Sequence, residues 1–258
     1  MRIADPVHPV KRIPSHIVRS MFLRSFAIQG SWNYRTLQGS GFAFALMPML
    51  RWLHHEDAAR LQDAVTRHTS LFNAHPYLAG VALGAVARME LDGEDPALIE
   101  RFKTALRGSL GTLGDRIVWA GWRPACVLLG LVVLLVTGSA MAAMLVFLIV
   151  YNAGHLALRW WALQIGVAHG KQVGERLRRA PLTRWHELVT GAGALLLGMT
   201  LTFVATGALT GSRLPLVPIT LAALAVFAGW RLGIVVRLPA LILLVVVAIA
   251  GFLYRIAQ

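Results

Sequence analysis

The run PACVLLGLVVLLVTGSAMAAMLVFLIVYNAGHLAL, residues 124–158, decides the class of the fold. It contains no Lys, Arg, Asp or Glu over 35 residues. As one helix it would be ~52 Å long, against a hydrocarbon core of ~30 Å. One straight span is excluded, so the run must turn back. Gly138-Ser139 is the expected break, because Gly opens the backbone and Ser can satisfy freed amides. The pattern predicts helices over Ile117–Val136 and Ala140–Leu158, the first kinked or partly inserted at Arg123-Pro124.

Further along, Leu188–Ser212 is 25 residues long without a charge, and Leu214–Trp230 and Leu238–Tyr254 are 17 each. Each approaches the ~20 residues of a membrane span, with Trp230 and Tyr254 at span ends where amphipathic rings anchor. About five transmembrane helices follow, in an all-α integral membrane protein.

Composition agrees. The 258 residues are 57% hydrophobic and 14% charged, with mean hydropathy +0.62. A soluble domain carries ~25% charged residues, so an ordinary soluble enzyme, a disordered chain and a fibrous one are all excluded. The 25 Lys+Arg against 12 Asp+Glu give a net charge of +13. Basic residues between apolar runs report membrane topology more often than nucleic-acid binding, so no nucleic-acid partner is expected. The Lys171, Arg176, Arg178, Arg179 and Arg184 cluster marks a cytoplasmic loop in contact with lipid, with docking of a partner as the second reading. Arg2, Lys11, Arg12, Arg19 and Arg24 put the N-terminus on the same side, and the count of spans puts the C-terminus outside. Met1–Ser25 lacks the apolar stretch of a signal peptide. Cys126 is the lone cysteine, so no intrachain disulfide exists.

The first half is amphipathic rather than apolar. Val18, Met21, Phe22, Ser25 and Phe26 recur at helical spacing, as in an interfacial helix. Gln29-Gly-Ser-Trp-Asn-Tyr34 and Gln38-Gly-Ser-Gly-Phe42 are too short and too polar to span lipid, and suit a re-entrant segment buried in protein or lining a cavity. His54–Arg67 reads as a solvated helix, and Asp95-Pro96 as a helix start with acids on the N-terminal dipole. Glycines at 108, 111 and 114 permit close backbone approach. They do not make a phosphate-binding loop, which needs Lys-Ser/Thr after the last glycine.

Stacked aromatics with amides can hold a sugar, rings against C–H faces and amides on hydroxyls. Gln29–Tyr34 is therefore either a sugar-binding segment or a packing motif. Glu90 and Asp115, beside apolar stretches, are functional candidates, since an ionised carboxylate at membrane depth costs ~3 kcal/mol. For Asp115 a local pair with Arg116 stays open. His54, His55, His68 and His75 lack metal-ligand spacing and read as surface or capping residues, with no metal and no cofactor implied.

Several strings stand in order along the chain: Arg24-Ser25-Phe26 through Gln29–Tyr34, Gly41-Phe42, Arg67-His68, Phe72-Asn73-x-His75-Pro76-Tyr77, Lys103-x-x-Leu106, Gly108-x-Leu110, Gly114-Asp115, Arg123-Pro124, Tyr151-Asn152 and Arg159-Trp160-Trp161. Together they make the chain resemble the IID subunit of the mannose/fructose/sorbose-type phosphotransferase system, over nearly its whole length. The resemblance implies a multi-pass sugar permease subunit of the bacterial cytoplasmic (inner) membrane. It implies an elevator-type carrier with re-entrant hairpins, paired with a IIC subunit in a trimer of IIC–IID pairs. It implies import of a hexose that is phosphorylated by IIB, itself charged by IIA, with no phosphorylated or catalytic residue on this chain. Carried onto matching positions, the substrate-binding residues are Gln29, Trp32, Asn33, Asn73, His75 and Asp115. The corresponding segments are an N-terminal arm (1–24), a hairpin and amphipathic region with the sugar motifs (25–116), a membrane hairpin with the basic loop (117–186) and C-terminal transmembrane helices (187–258).

The chain departs from the family at Leu71, Ala74, Ser109, Thr112-Leu113 and Ala142-Ala143. Thr112 adds a Cβ where backbones are expected to approach closely, which argues for slowed transport. A second reading therefore stays open, a diverged membrane scaffold that docks the soluble phosphotransferase proteins without importing sugar.

Overall fold

The computed structural model describes residues 12–208, and the predicted spans Leu214–Trp230 and Leu238–Tyr254 lie outside them. The described residues are helical, with no strand among them and only two isolated β-bridges. The helices are α1 Ser15–Ser25, α2 Gly39–Leu53, α3 Ala58–His68, α4 Ala79–Leu91, α5 Pro96–Gly114, α6 Arg123–Thr137, α7 Ala140–His169, α8 Val173–Arg179 and α9 Leu182–Ala208. A π-helix, Asp115–Trp122, joins α5 to α6. Three helical runs are long and apolar enough to cross a membrane: Pro96–Thr137, Ala140–Arg179 and Arg184–Val204. The chain is an integral membrane protein, all-helical in fold class over the described residues.

It divides into two units. The first comprises residues up to Asp115 together with Gly154–Ala180, and the second Arg116–Ala153 and the chain from Pro181 onward.

In the first unit α4 is the centre. Every residue of α4 except Arg88 is buried, as expected of a helix that is apolar on all sides. α2 and α5 pack against it, contributing Phe42, Leu46, Met49, Ile99 and Leu110 to one core. The second half of α7 lies closest of all. A Cβ on Gly84 would sit 2.7 Å from Val167 N and 3.1 Å from Gly166 C, and one on Gly166 would sit 2.7 Å from Ala85 N. Gly80-x3-Gly84 faces Ala162-x3-Gly166, the small-residue spacing that lets two helix backbones touch. α1 buries Ile17, Val18, Met21 and Ser25, largely the expected stripe, but Phe26 ends up exposed beyond the helix.

Local starts follow the sequence. Asp57 caps α3 by accepting from Arg60 N at 2.9 Å, and Asp95 caps α5 by accepting from Leu98 N at 3.3 Å with Pro96 in the first turn. Such caps contribute about 1 kcal/mol each.

In the second unit α6 packs along α9. Helix α6 ends where expected. Gly138 takes φ 67° and donates to Leu134 O at 2.8 Å, and Ser139 Oγ accepts from Ala142 N at 3.2 Å. Large apolar side chains stay exposed, among them Leu135 and Val136 on α6 and Met141, Leu145 and Ile149 on α7. That suits lipid, where apolar surface needs no covering.

Sequence expectations are corrected in α7 and at the spaced glycines of α5. The helix begun at Ala140 does not stop at Leu158 but runs to His169. It tolerates Arg159 because the guanidinium donates to Ser25 O at 3.1 Å and lies 4.7 Å and 4.8 Å from the Phe26 and Tyr77 ring centres, which offsets its desolvation. At Arg123-Pro124 the helix changes from π to α. Pro124 lacks an N–H and its ring crowds the preceding turn, and the wider π-turns of Asp115–Trp122 lie immediately upstream of it. Of the spaced glycines, only Gly114 is in close contact, against the His75 ring, whereas Gly108 and Gly111 have nothing near. Thr112 is exposed, its Oγ1 donating to Gly108 O, so its Cβ crowds no backbone.

Candidate functional site

The chain between α1 and α2 folds into turns that no helix could make from Gln29-Gly-Ser-Trp-Asn-Tyr34. Asn33 organises them. Its Oδ1 accepts from Arg35 N at 3.0 Å and Thr36 N at 2.9 Å, and its Nδ2 donates to Thr36 Oγ1 at 2.8 Å and Ser31 O at 3.2 Å. This is the Asx-turn chemistry that suits Asn to such positions. The backbones of Asn33 and Leu37 close the turn, with Leu37 N donating to Asn33 O at 2.8 Å. Ser31 and Ser40 hydroxyls meet at 2.8 Å. Gln29, Trp32 and Asn33 are all exposed, and Trp32 meets the still more exposed Tyr34 edge to face at 4.9 Å.

The second polar motif lies beside the first. Leu37 bridges Phe72 in parallel, Gln38 N donates to Phe72 O at 2.8 Å and Phe72 N to Thr36 O at 3.2 Å. Asn73, exposed, follows directly. Phe72 itself is buried against Phe42, 4.6 Å between ring centres. Gly39 can have no side chain here, because a Cβ would overlap the Thr69 and Ser70 carbonyls.

His75 points the other way. It is buried at 2% exposure, accepts from Tyr77 N at Nδ1 and lies edge-on to the Tyr77 ring at 5.0 Å. Burial pushes its imidazole down to about 4, Asp115 pulling it back up and Arg159 lowering it further. Asp115 is exposed at the end of α5, just beyond the Gly114 that rests on His75. The predicted site residues therefore fall into two groups. Gln29, Trp32, Asn33 and Asn73 share an exposed surface of paired turns, whereas His75 and Asp115 form a buried-to-exposed pair at the α5 terminus.

A charged cluster that sequence reasoning did not assemble lies beneath the turns. Glu90 Oε1 accepts from Arg67 Nη2 and His68 Nε2, each at 2.7 Å. Burial pushes the Glu90 carboxyl up, but the two hydrogen bonds outweigh it and hold the group below the usual range. Burial keeps His68 neutral, against the pull of Glu90, so Nε2 carries the proton it donates. Lys103, 1% exposed, donates to Ser70 Oγ at 2.6 Å, Arg67 O at 3.2 Å and His68 O at 3.4 Å, closing the C-terminal end of α3. Its Nζ also lies 5.4 Å from the Phe42 ring centre. His68 and His75 are thus core residues and not the surface or capping groups expected, and Glu90 is a structural ion-pair partner. The clue was present in the strings Arg67-His68 and Lys103-x-x-Leu106, but nothing in one sequence brings positions 67, 90 and 103 together.

The model of the PTS system mannose/fructose/sorbose family IID component matches residues 12–206. The mannose-specific EIID component of Escherichia coli (strain K12) is 31% identical over 212 residues, 80% of this chain and 72% of that one. The fructose permease IID component of Bacillus subtilis (strain 168) is 31% identical over 190 residues, 72% of this chain and 67% of that one. The sorbose-specific EIID component of Klebsiella pneumoniae is 32% identical over 197 residues, 74% of this chain and 71% of that one. Among solved structures, the cryoEM structure of the mannose transporter ManYZ in complex with microcin E492 contains a similar chain. It superposes with a TM-score of 0.59 at 25% identity, covering 94% of this chain and 97% of that one. A second membrane-protein structure superposes at 0.66 with 24% identity, a likeness of fold. The chain is therefore a member of the mannose/fructose/sorbose family of phosphotransferase-system IID components, a membrane permease subunit of that system.

Proposed function

We propose that this chain pairs with a IIC subunit in the cytoplasmic membrane and that the two together form the import path for a hexose. The sugar is phosphorylated on arrival by IIB, which IIA recharges, and no residue of this chain carries the phosphoryl group. The observation that carries the reading is the exposed pairing of two polar family motifs. Gln29, Trp32, Asn33 and Asn73 lie on turns held rigid by Asn33 and by the Leu37–Phe72 bridge. A sugar needs amides and an aromatic face within an enclosed pocket. Gln29, Asn73 and Trp32 supply them, while the Asn33 amide is taken up by the turn it holds. An exposed half-site becomes enclosed when a second chain covers it. His75 and Asp115 belong to the same proposal as supports of the Asn73 segment.

The polar turns between apolar helices suit re-entrant hairpins, whose irregular backbone is tolerated only against protein or a water-filled cavity. An elevator-type carrier, a trimer of IIC–IID pairs and an N-terminus and basic loop on the cytoplasmic side complete the reading, with the segment division at 24, 116 and 186. The test is Asn33→Ala in the complete complex. Hexose uptake is lost while the subunit stays in the membrane. Uptake at the wild-type rate removes Asn33, and the turn it organises, from the site.

A further inference from the structure

We propose that Gln38 is a positioning residue for the sugar site, a side-chain clasp that fixes the Gln29–Tyr34 turn against the Asn73 segment. The proposal rests on the sugar-lining reading above. Gln38 is 2% exposed at the first residue before α2. Its Nε2 donates to Ala74 O at 2.9 Å and its Oε1 accepts from Ala74 N at 3.1 Å. The two segments begin as a parallel backbone pairing, Thr36–Gln38 with Phe72. At Gly39 the backbone turns away into α2 and can pair no further. The Gln38 amide then takes the place of the next peptide group, satisfying both the N–H and the C=O of Ala74.

Only an uncharged group with both a donor and an acceptor does this, and at neutral pH that is the amide. A buried peptide unit needs one donor and one acceptor. An ionised carboxylate offers no donor, and an apolar side chain offers neither. Ala74 is itself 4% exposed, so bulk water does not reach its peptide groups while the clasp is in place. Loss of the clasp leaves both of its groups unsatisfied, and the Asn73 segment gains its freedom to move from the first turn. Trp32 and Asn33 then no longer share a fixed geometry with Asn73, which weakens sugar binding without touching the phosphoryl transfer that follows.

The experiment places spin labels at Arg35→Cys and Leu71→Cys, two exposed positions outside the proposed lining, in a Cys126→Ala background of the full chain held with its IIC partner in nanodiscs. With Gln38 the label distance is single and narrow. With Gln38→Ala it broadens, and the KM for hexose uptake rises about tenfold while the maximal rate stays within about twofold. Gln38→Glu is broad at pH 8 and narrow again once acidified, because a protonated carboxyl has one donor and one acceptor; general loosening of the loop would not reverse with acid. This variant compares one protein with itself, so it decides the matter even if Gln38→Ala fails to fold. A distance that stays narrow in Gln38→Ala overturns the clasp, and leaves the sugar-lining reading standing if KM rises nonetheless. A broadened distance with unchanged KM overturns the positioning role through the sugar-lining reading on which it rests.

Discussion

Replacing Gly84 with alanine adds one methyl group where α4 and the second half of α7 lie closest. The new Cβ would be 2.7 Å from Val167 N and 3.1 Å from Gly166 C, and it would overlap Leu163 O as well. All three are backbone atoms of a helix, so none can rotate aside. Ordinary contact needs about 3.5–4.0 Å, which forces the helices apart by roughly 1 Å. A gap of that size forfeits a quarter to a half of each dispersion contact along the seam. The expected cost is about 2–3 kcal/mol, in the range of overpacked cores. That corresponds to an apparent Tm lower by roughly 5–10 °C.

The sign makes this test sharp. In an open helix, Gly→Ala stabilises by about 1 kcal/mol. Gly108 and Gly111 in α5 have nothing within 4 Å and act as controls: Gly108→Ala and Gly111→Ala leave Tm unchanged or raise it. The assay is thermal unfolding of the purified chain in detergent, followed by size-exclusion monitored with tryptophan fluorescence. Gly166→Ala behaves like Gly84→Ala, and the double variant costs less than the sum, because one separation of the helices relieves both overlaps. A Gly84→Ala protein as stable as wild type, or more stable, would refute the close packing of α4 on α7.

Glu90→Ala leaves the Arg67 guanidinium without its buried partner and costs ~3–5 kcal/mol, read as a Tm loss of roughly 10 °C. Glu90→Gln keeps an oxygen for both donors and loses less than half as much. Lys103→Met, measured the same way, leaves the Ser70 hydroxyl and the α3 terminal carbonyls without their donor and costs about 2–3 kcal/mol. Lys103→Arg does not rescue it, because the planar fork cannot meet three converging acceptors. His75 is held neutral down to about 4, whereas an unfolded histidine protonates near ~6.5. Between those values the unfolded chain binds more protons, so stability falls as pH drops from 6.5 to 4. The loss is at most about 3 kcal/mol. His75→Gln flattens this part of the Tm–pH profile, and an unchanged slope would assign it to other groups.

The membrane class was legible from residues 124–158 alone, because an uncharged run longer than the bilayer admits few structures. The Gly138-Ser139 turn was legible for the same reason, since a positive φ and a free hydroxyl are local properties. Helix ends that depend on tertiary contacts were not. Arg159 reads as the end of a span until Ser25, Phe26 and Tyr77, more than 80 residues away in sequence, are seen to surround it. Gly80-x3-Gly84 was present as a packing signal, hidden inside an apolar run that reads equally well without it. Asn33 was singled out correctly as special, but its four hydrogen bonds are spent within its own turn. Gln38, whose bonds reach 36 residues along the chain, gave no local sign of its part. A single sequence shows which residues are unusual; their partners depend on how the chain returns.

On the proposed function, the exposed turns of this chain form half of a hexose site completed by IIC. Calorimetric titration of hexoses into the co-purified IIC–IID complex, with the IID chain alone alongside, tests it most directly. The account predicts saturable binding of at least one hexose by the complex, none by IID alone, and none by the complex carrying Asn33→Ala. Binding by IID alone, or undiminished binding by the Asn33→Ala complex, would contradict it.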